Sequence, residues 1–352
     1  MLAFERRKKA FVQLGSQIGK LLNRYNDVTQ ALNEFQQVIQ ISNHENQWFI
    51  EENIHFALEN WQNSLSEENI DNWLKAYDFS TEIEPKTIGL IMAGNIPLVG
   101  FHDYLSVLIC GHRAKIKLSS SDKRLLPYLS KLLIEIEPAF EEYILFEEHT
   151  IKGFDAIIAT GSNNTSRYFE YYFRNKPHII RKNRNGICIL DSTETAQDFQ
   201  NLGKDIFRYF GLGCRNVSKL FVPKNYDFKP FFEGISNFES YIHNHKYANN
   251  YDYNKAVYLM SDIDFKDNGF LILKKDTSIT TPIAVLNYEE YENDANLKNS
   301  LKHNKENIQC IIGNHHLCDF KFGEAQEPKL NDYADGIDTI KFLKQLDTPI
   351  TL

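Results

Sequence analysis

The sequence holds few of the residues that mark a function outright. Its 352 residues include five cysteines, three methionines, three tryptophans and ten prolines. An odd, unpaired set of cysteines excludes a disulfide framework and fits a reducing cytoplasm. In that setting the Asn-Asn-Thr-Ser run at 163–166 means nothing as a glycosylation site. Positive charge is short as well: 39 Lys and Arg against 47 Asp and Glu leave a net charge of −8. A general nucleic-acid binder needs a basic face for phosphates, so that class is excluded. No run reaches the ~18–20 apolar residues of a membrane span. The best candidate, TIGLIMAGNIPLVGF, is short and carries Asn95. The basic start, MLAFERRKKAFVQLG, lacks the apolar region of a secretory signal. Walker A, G-x-G-x-x-G and H-E-x-x-H sequences are all missing.

What is present is ample material for packed interiors. Hydrophobic residues make up 42%, with 25 Phe and 18 Tyr, and the length suits two domains. Residues 1–80 carry apolar side chains at helical spacing (Phe49, Ile54, Phe56, Leu58, Trp61), with Ser66 placed like a helix start. After Pro85 the texture changes. TIGLIMAG, AKIKLS and FDAIIATGS read as strands; LVGFHDYLSVLICG, KRLLPYLSKLLIEI and NTSRYFEYYF read as the helices between and after them. HIIRKN and GICILD are extended, and TAQDFQNLGKDIFRYF is an amphipathic helix running up to Cys214. Strands alternating with helices of 10–15 residues predict parallel βαβ units and a doubly wound sheet.

Cys310, His315, His316 and Cys318, in CIIGNHHLC, have metal-capable side chains. Their spacing matches no usual zinc pattern, and adjacent histidines on a strand point to opposite faces. The expectation is packing and a surface turn with no metal; YIHNHKY, from Tyr241, receives the same reading.

Three stretches carry more. IMAGNIPLVGFHDYLSVLICGHRAKIKLSSSD runs strand, Asn-x-Pro, helix, glycine, strand, Lys-x-Ser; AIIATGSNNTSRYF runs strand, Thr-Gly-Ser, helix; FGLGCRNVSKLFVP sets a glycine-flanked cysteine before a strand. In this order they resemble the aldehyde dehydrogenase superfamily, and within it the acyl-CoA reductase family of the LuxC type. The closing QEPKLNDYADGIDTIKFLKQL also looks like that family. The resemblance covers about residues 85–345.

The resemblance implies an α/β, aldehyde dehydrogenase-like fold. A doubly wound Rossmann-type cofactor domain at 81–185 would follow a helical N-terminal region at 1–80. A second α/β catalytic domain at 186–325 and a C-terminal segment at 326–352 would complete the chain. It implies that Cys214 is the nucleophile, since a thiolate attacks a thioester and leaves a hemithioacetal readily. Asn95 would donate to the oxyanion, together with the Cys214 backbone N–H; its alternative reading is a turn residue before Pro97. Lys117, Ser119 and Ser120 would lie by the adenosine ribose of a dinucleotide, or else form a solvated serine loop. Most NAD-preferring relatives carry a glutamate where Ser120 stands. Its absence leaves Lys117 to pair with a 2′-phosphate and favours NADPH. Gly161 and Ser162 would open a helix toward the cofactor's phosphates, although Ser162 is also simply a good N-cap.

One departure sets the direction. Aldehyde oxidisers of the superfamily carry a Glu-Leu-Gly-Gly glutamate that activates the deacylating water. The corresponding stretch here is IIRKNRNGICIL, where Arg181 to Asn185 offer no carboxylate. A base must lie within hydrogen-bond reach of its proton, so the acyl group should pass to hydride or to a thiol. The expected function is NADPH-dependent reduction of an acyl-CoA or carrier-bound fatty-acyl thioester to the aldehyde. The alternatives are an acyl-transfer or thioesterase-like protein on the same fold, or a non-catalytic partner of an acyl synthetase. The expected setting is cytoplasmic, without nucleic acid or membrane span, with room for an acyl synthetase partner and a homo-oligomer.

Overall fold

The computed structural model describes residues 2–23, 30–81 and 83–346. Residues 24–29, which belong to the helical region expected over 1–80, and residues 347–352 of the expected C-terminal segment lie outside that set. The chain forms two compact units, one of residues 1–182 with 329–352 and one of residues 183–328.

The first unit opens with four helices, α1 (Phe4–Asn23), α2 (Gln30–Glu45), α3 (Glu51–Ser64) and α4 (Glu67–Leu74). Ser66 caps α4 as expected, its hydroxyl accepting the Asn69 N–H at 3.3 Å. There follow β1 (Thr87–Ile91), α5 (Phe101–Cys110), β2 (Arg113–Lys117), α6 (Leu125–Ile136), β3 (Ile144–Phe146), β4 (Ala156–Thr160), α7 (Asn163–Phe173) and β5 (His178–Arg181). The five strands form one parallel sheet in the order β3-β2-β1-β4-β5. A parallel sheet is covered on both faces, which is why β1 and β4 are almost continuously apolar.

Helix α5 is buried along its whole length and stops at Gly111, whose φ of 90° lies in the left-handed region that favours glycine. A Cβ there would also sit 3.1 Å from the Arg7 guanidinium. That buried guanidinium, from α1, donates to the Ile109 carbonyl at 3.0 Å and so satisfies the C-terminal end of α5.

The second unit contains β6 (Asn185–Ile189), α8 (Ala196–Phe207), β7 (Val217–Pro223), α9 (Lys229–Gly234), α10 (His245–Met260), β8 (Phe265–Asp267), β9 (Ile272–Lys275), β10 (Val285–Tyr291), α11 (Asp294–His303) and β11 (Ile308–Ile312). Its sheet has the order β11-β6-β7-β10-β9-β8, parallel except for the β8–β9 pair. Thr195 and Asp198 cap α8 reciprocally, each side chain bonding the other's backbone N–H.

The chain then rejoins the first unit, where α12 (Thr339–Gln345) packs on α5. Tyr333, which precedes α12, is held by Trp73 Nε1–H at 2.7 Å and by the Tyr77 hydroxyl at 2.7 Å, and its ring meets that of His102 on α5 edge-on. No described helix is long and apolar enough to cross a membrane.

The amphipathic helix expected to run to Phe210 ends three residues earlier. Arg208 takes an extended ψ of 138°, and Tyr209 and Phe210 both adopt left-handed backbone at φ 55° and 57°. Each costs on the order of 1–2 kcal/mol for an L-residue. Burial of both rings offsets that cost: Tyr209 and Phe210 are almost wholly enclosed, and Phe210 packs edge-on against Tyr241 at 5.3 Å.

Candidate active site

In the first unit, the loops carrying six of the expected site residues leave the same edge of one sheet. Strands β2, β1 and β4 are adjacent and parallel, and Ile91 is level with both Lys117 and Ala159. Lys117 therefore stands at the end of β2, Asn95 lies in the loop after β1, and Gly161 and Ser162 follow β4. This is the edge at which open α/β sheets bind ligands. The first two loops touch: a Cβ on Gly94 would stand 2.7 Å from the Ser119 side chain. Asn95, Ser120 and Ser162 are exposed; Lys117, Ser119 and Gly161 are half-buried.

Ser162 is the N-cap of α7, its hydroxyl accepting the Thr165 N–H at 3.3 Å. That accounts for the serine by the cap reading, and leaves the open end of the helix at the sheet edge. Gly161 is confined from behind, since a Cβ there would meet Thr165 at 3.0 Å and Phe169 at 3.1 Å.

Asp122, which nothing in the sequence sets apart from a solvated Ser-Ser-Ser-Asp loop, organises this edge. It is 8% exposed, and its Oδ2 accepts the Leu98 N–H at 3.0 Å. Leu98 is itself left-handed at φ 58°, so the carboxyl pins a strained residue three positions beyond Asn95. Burial pushes the Asp122 carboxyl up to about 6. The acidic residue of the Ser-Ser-Ser-Asp run is thus turned inward, while Ser120 faces solvent.

The stretch that would hold an oxidiser's glutamate is built for structure. Arg181 is buried and donates to Asp103 at 2.6 and 3.1 Å, to the Ala334 carbonyl at 2.8 Å and to Thr339 at 3.0 Å. Burial acts to raise the Asp103 carboxyl, but the Arg181 guanidinium outweighs it and holds it below its ordinary value. Lys182 pairs with Glu170 at 2.8 Å.

In the second unit, Cys214 is half-buried in a tight turn between α8 and β7. The Asn216 N–H donates to the Gly213 carbonyl at 3.1 Å, which makes Cys214 and Arg215 the central residues of the turn. The Asn216 side chain, fully buried, then fixes the turn to the helix before it. Its Oδ1 accepts the Gly213 N–H at 2.8 Å, and its Nδ2 donates to the carbonyls of Asp205 and Arg208, both at 2.9 Å. These are carbonyls at the end of α8, which have no partner inside the helix.

Asp205 extends the support. Its carboxylate accepts the N–H groups of Gly323 at 2.6 Å and Ala325 at 3.1 Å, and burial raises it to about 7. Gly186 closes the other side: a Cβ there would lie 2.4 Å from the Arg215 carbonyl oxygen, so only glycine fits.

The remaining cysteines differ from Cys214. Cys110, Cys188 and Cys310 are buried. Burial drives the Cys188 thiol well up, and pushes those of Cys310 and of half-buried Cys318 up to about 12. Glu194, a half-buried acid raised mainly by burial, follows the C-terminal end of β6, whereas Cys214 precedes the N-terminal end of the parallel β7. It belongs to the opposite edge of the sheet.

His315 and His316 do not lie on a strand. β11 ends at Ile312, and both histidines sit in the turn that follows, with their rings 4.3 Å apart. Off the strand, the two side chains are not divided between opposite faces as expected.

Comparison with known proteins agrees with this architecture. The chain matches aldehyde dehydrogenase 21 from Physcomitrella patens, solved with succinate, at 14% identity and a TM-score of 0.64, over 99% of this chain and 85% of that one. It matches the aldehyde dehydrogenase KauB from Pseudomonas aeruginosa at 14% identity and 0.63, over 91% and 76%. An aldehyde dehydrogenase from Bacillus cereus, solved with NAD+, matches at 13% and 0.61, over 89% and 72%. At these identities the likeness establishes the aldehyde dehydrogenase fold. No curated protein matches the chain. The profile of the acyl-CoA reductase (LuxC) family matches residues 19–233, more than half of the chain. With the fold agreeing, the chain belongs to the LuxC family of acyl-CoA reductases, oxidoreductases that act on acyl groups.

Proposed function

We propose that this chain reduces a fatty-acyl thioester, held on CoA or a carrier, to the aldehyde with NADPH, by way of a thioester on Cys214. The observation that carries the reading is the contrast among the cysteines. Cys214 alone is both half-buried and set at the centre of a turn, with its neighbours' polar groups fixed by Asn216.

In this reading the Cys214 sulfur attacks the acyl carbonyl, the C–S bond to the carrier breaks, and the carrier leaves as its thiol. Asn95 donates to the oxyanion, an interaction of the kind that contributes ~2.7–4 kcal/mol. Reduced nicotinamide, when bound, would supply a hydride to the thioester carbon, and the C–S bond to Cys214 then breaks to release the aldehyde and restore the thiol. Lys117, Ser119 and Ser120 take the adenosine ribose, and Gly161 with Ser162 the phosphates. The inward turn of Asp122 supports NADPH over NADH, because no carboxylate of the Ser119–Asp122 run faces solvent to repel a 2′-phosphate. The buried Arg181–Asp103 pair supports slow hydrolysis, since that stretch is committed to packing and offers no base. The same reading takes an acyl synthetase as partner, a homo-oligomer as working assembly and the cytoplasm as setting.

The test is to supply a long-chain aldehyde and NADP+, with and without CoA, and to identify the product. Acyl-CoA formed only with CoA is expected. Rapid release of free fatty acid without CoA would overturn the missing-base reading, and no acyl-enzyme with any acyl-CoA would overturn the whole.

A further inference from the structure

We propose that Asp294, His315 and His316 form a binding site for a divalent transition-metal ion of the zinc class, on the second unit. Gly313 initiates the geometry. Its φ of 143° is open to glycine, and a Cβ there would stand 2.5 Å from the Ile189 carbonyl oxygen. The chain therefore turns sharply after β11, and the turn is closed by the Cys318 N–H donating to the His315 carbonyl at 2.9 Å. The two imidazoles consequently lie side by side, 35° apart in plane, instead of diverging as they would on a strand. Asp294 reaches them from the first turn of α11, whose N-cap Asn293 bonds the N–H groups of Ala295 and Asn296.

The donor atoms already stand at coordination spacing. His315 Nε2 is 3.2 Å from Asp294 Oδ1, His316 Nε2 is 3.4 Å from Asp294 Oδ2, and one ligand atom from each residue falls within 4.8 Å of the others. Ligands at ~2.0–2.1 Å from a tetrahedral ion are roughly 3.3 Å apart. The His315 side chain is 12% exposed and anchors the site, while Asp294 and His316, at 50% and 58%, leave an outer face for water ligands. Two imidazoles and one carboxylate suit zinc, cobalt, nickel or copper better than calcium or magnesium, which prefer oxygen alone.

Affinity is limited by two features. Only three protein ligands converge among the described residues, and the Leu317 N–H donates to His315 Nδ1 at 3.4 Å. An ion on Nε2 moves the imidazole proton to Nδ1, so the ring must swing slightly away from Leu317. Micromolar binding is the expectation. The ion would tie the start of α11 to the turn after β11, at the sheet edge opposite Cys214, so the proposal stands apart from the catalytic reading.

The test uses the full chain, stripped with chelator, in a Co2+ titration by absorbance and a Zn2+ titration by calorimetry. One ion per chain is expected, with a visible d–d band and no thiolate charge-transfer band. His316→Asn and Asp294→Asn should each weaken binding roughly 100-fold. Melting of the metal-free His316→Asn protein should be unchanged, since that side chain is exposed, and Cys318→Ser should bind as the parent does. No binding at millimolar ion, binding indifferent to both ligand variants, or a thiolate band lost in Cys318→Ser would each overturn the site.

Discussion

The Asn216 side chain accepts the backbone N–H of Gly213 at 2.8 Å, and the Asn216 N–H returns a bond to the Gly213 carbonyl at 3.1 Å. Cys214 sits inside this two-way clasp. A sulfur on a free loop would sample many positions, and a clasp that joins the turn to the end of α8 restricts them. Asn216→Ala leaves a buried N–H and two carbonyls without that partner, at about 1–3 kcal/mol each where water does not replace it. We expect lower melting and, in the folded fraction, at least about tenfold slower acylation of Cys214. Asn216→Asp should fail too, because its carboxylate faces the Asp205 and Arg208 carbonyls. Acylation at the parent rate in folded Asn216→Ala would show that the turn holds itself.

Cys214→Ala should form no acyl-enzyme and no aldehyde. Cys110, Cys188, Cys310 and Cys318 should each tolerate Ser or Ala chemically, with stability losses at the buried positions. Mass spectrometry after incubation with acyl-CoA reads this directly. An adduct that persists in Cys214→Ala would move the nucleophile elsewhere.

Lys117→Ala should weaken NADPH binding more than NADH binding. A charge-assisted contact to a 2′-phosphate is worth ~1.5–3 kcal/mol, or roughly 10–100-fold in Kd. Fluorescence titration with both cofactors gives the ratio. An equal loss for the two would mean that Lys117 meets only what they share.

Asp122 makes a pH-dependent prediction. Its carboxyl is raised from 3.8 to about 6 in the folded chain by burial, so the folded state binds the proton more tightly than the unfolded state does. Stability from this group is full below the unfolded value and is lost as pH rises through about 6, by about 3 kcal/mol in total. Asp122→Asn keeps a neutral acceptor for the Leu98 N–H and cannot ionise. Its stability relative to the parent should rise between pH 4 and pH 7, measured by urea unfolding of both proteins. A difference that stays flat with pH would mean that Asp122 titrates normally.

The local punctuation of the fold was legible because it is written in single residues. Ser66 and Ser162 cap the helices that follow them, and Gly111 ends α5, each by a bond or a dihedral that few other residues supply. The Asn95, Lys117 and Gly161 loops were readable as one set because each follows a strand of the same parallel sheet. What escaped depends on partners far along the chain. Tyr209 and Phe210 are left-handed only because burial of their rings outweighs the backbone penalty. Asp122 reads as one more solvated loop residue until Leu98 is seen to bond it, and His315 and His316 look divergent until Gly313 turns them. Asn216, two residues after the cysteine, was visible in the sequence, but nothing local announced that helix carbonyls would surround it.

The chain leaves the first unit after Lys182 and comes back to it at Lys329. Arg181 thus waits for Ala334 and Thr339, and Trp73 and Tyr77 wait for Tyr333, across the whole intervening unit. During synthesis from the N-terminus, the second unit is complete before the first can be. The Arg181 guanidinium lacks its bonds to Ala334 and Thr339 until that stretch emerges, so the first unit passes through a stage without them and with the α12 side of α5 uncovered. Its closure is therefore a late, non-local step, and a chain stopped near residue 328 should carry a folded second unit beside a first unit that is unfinished and prone to aggregate.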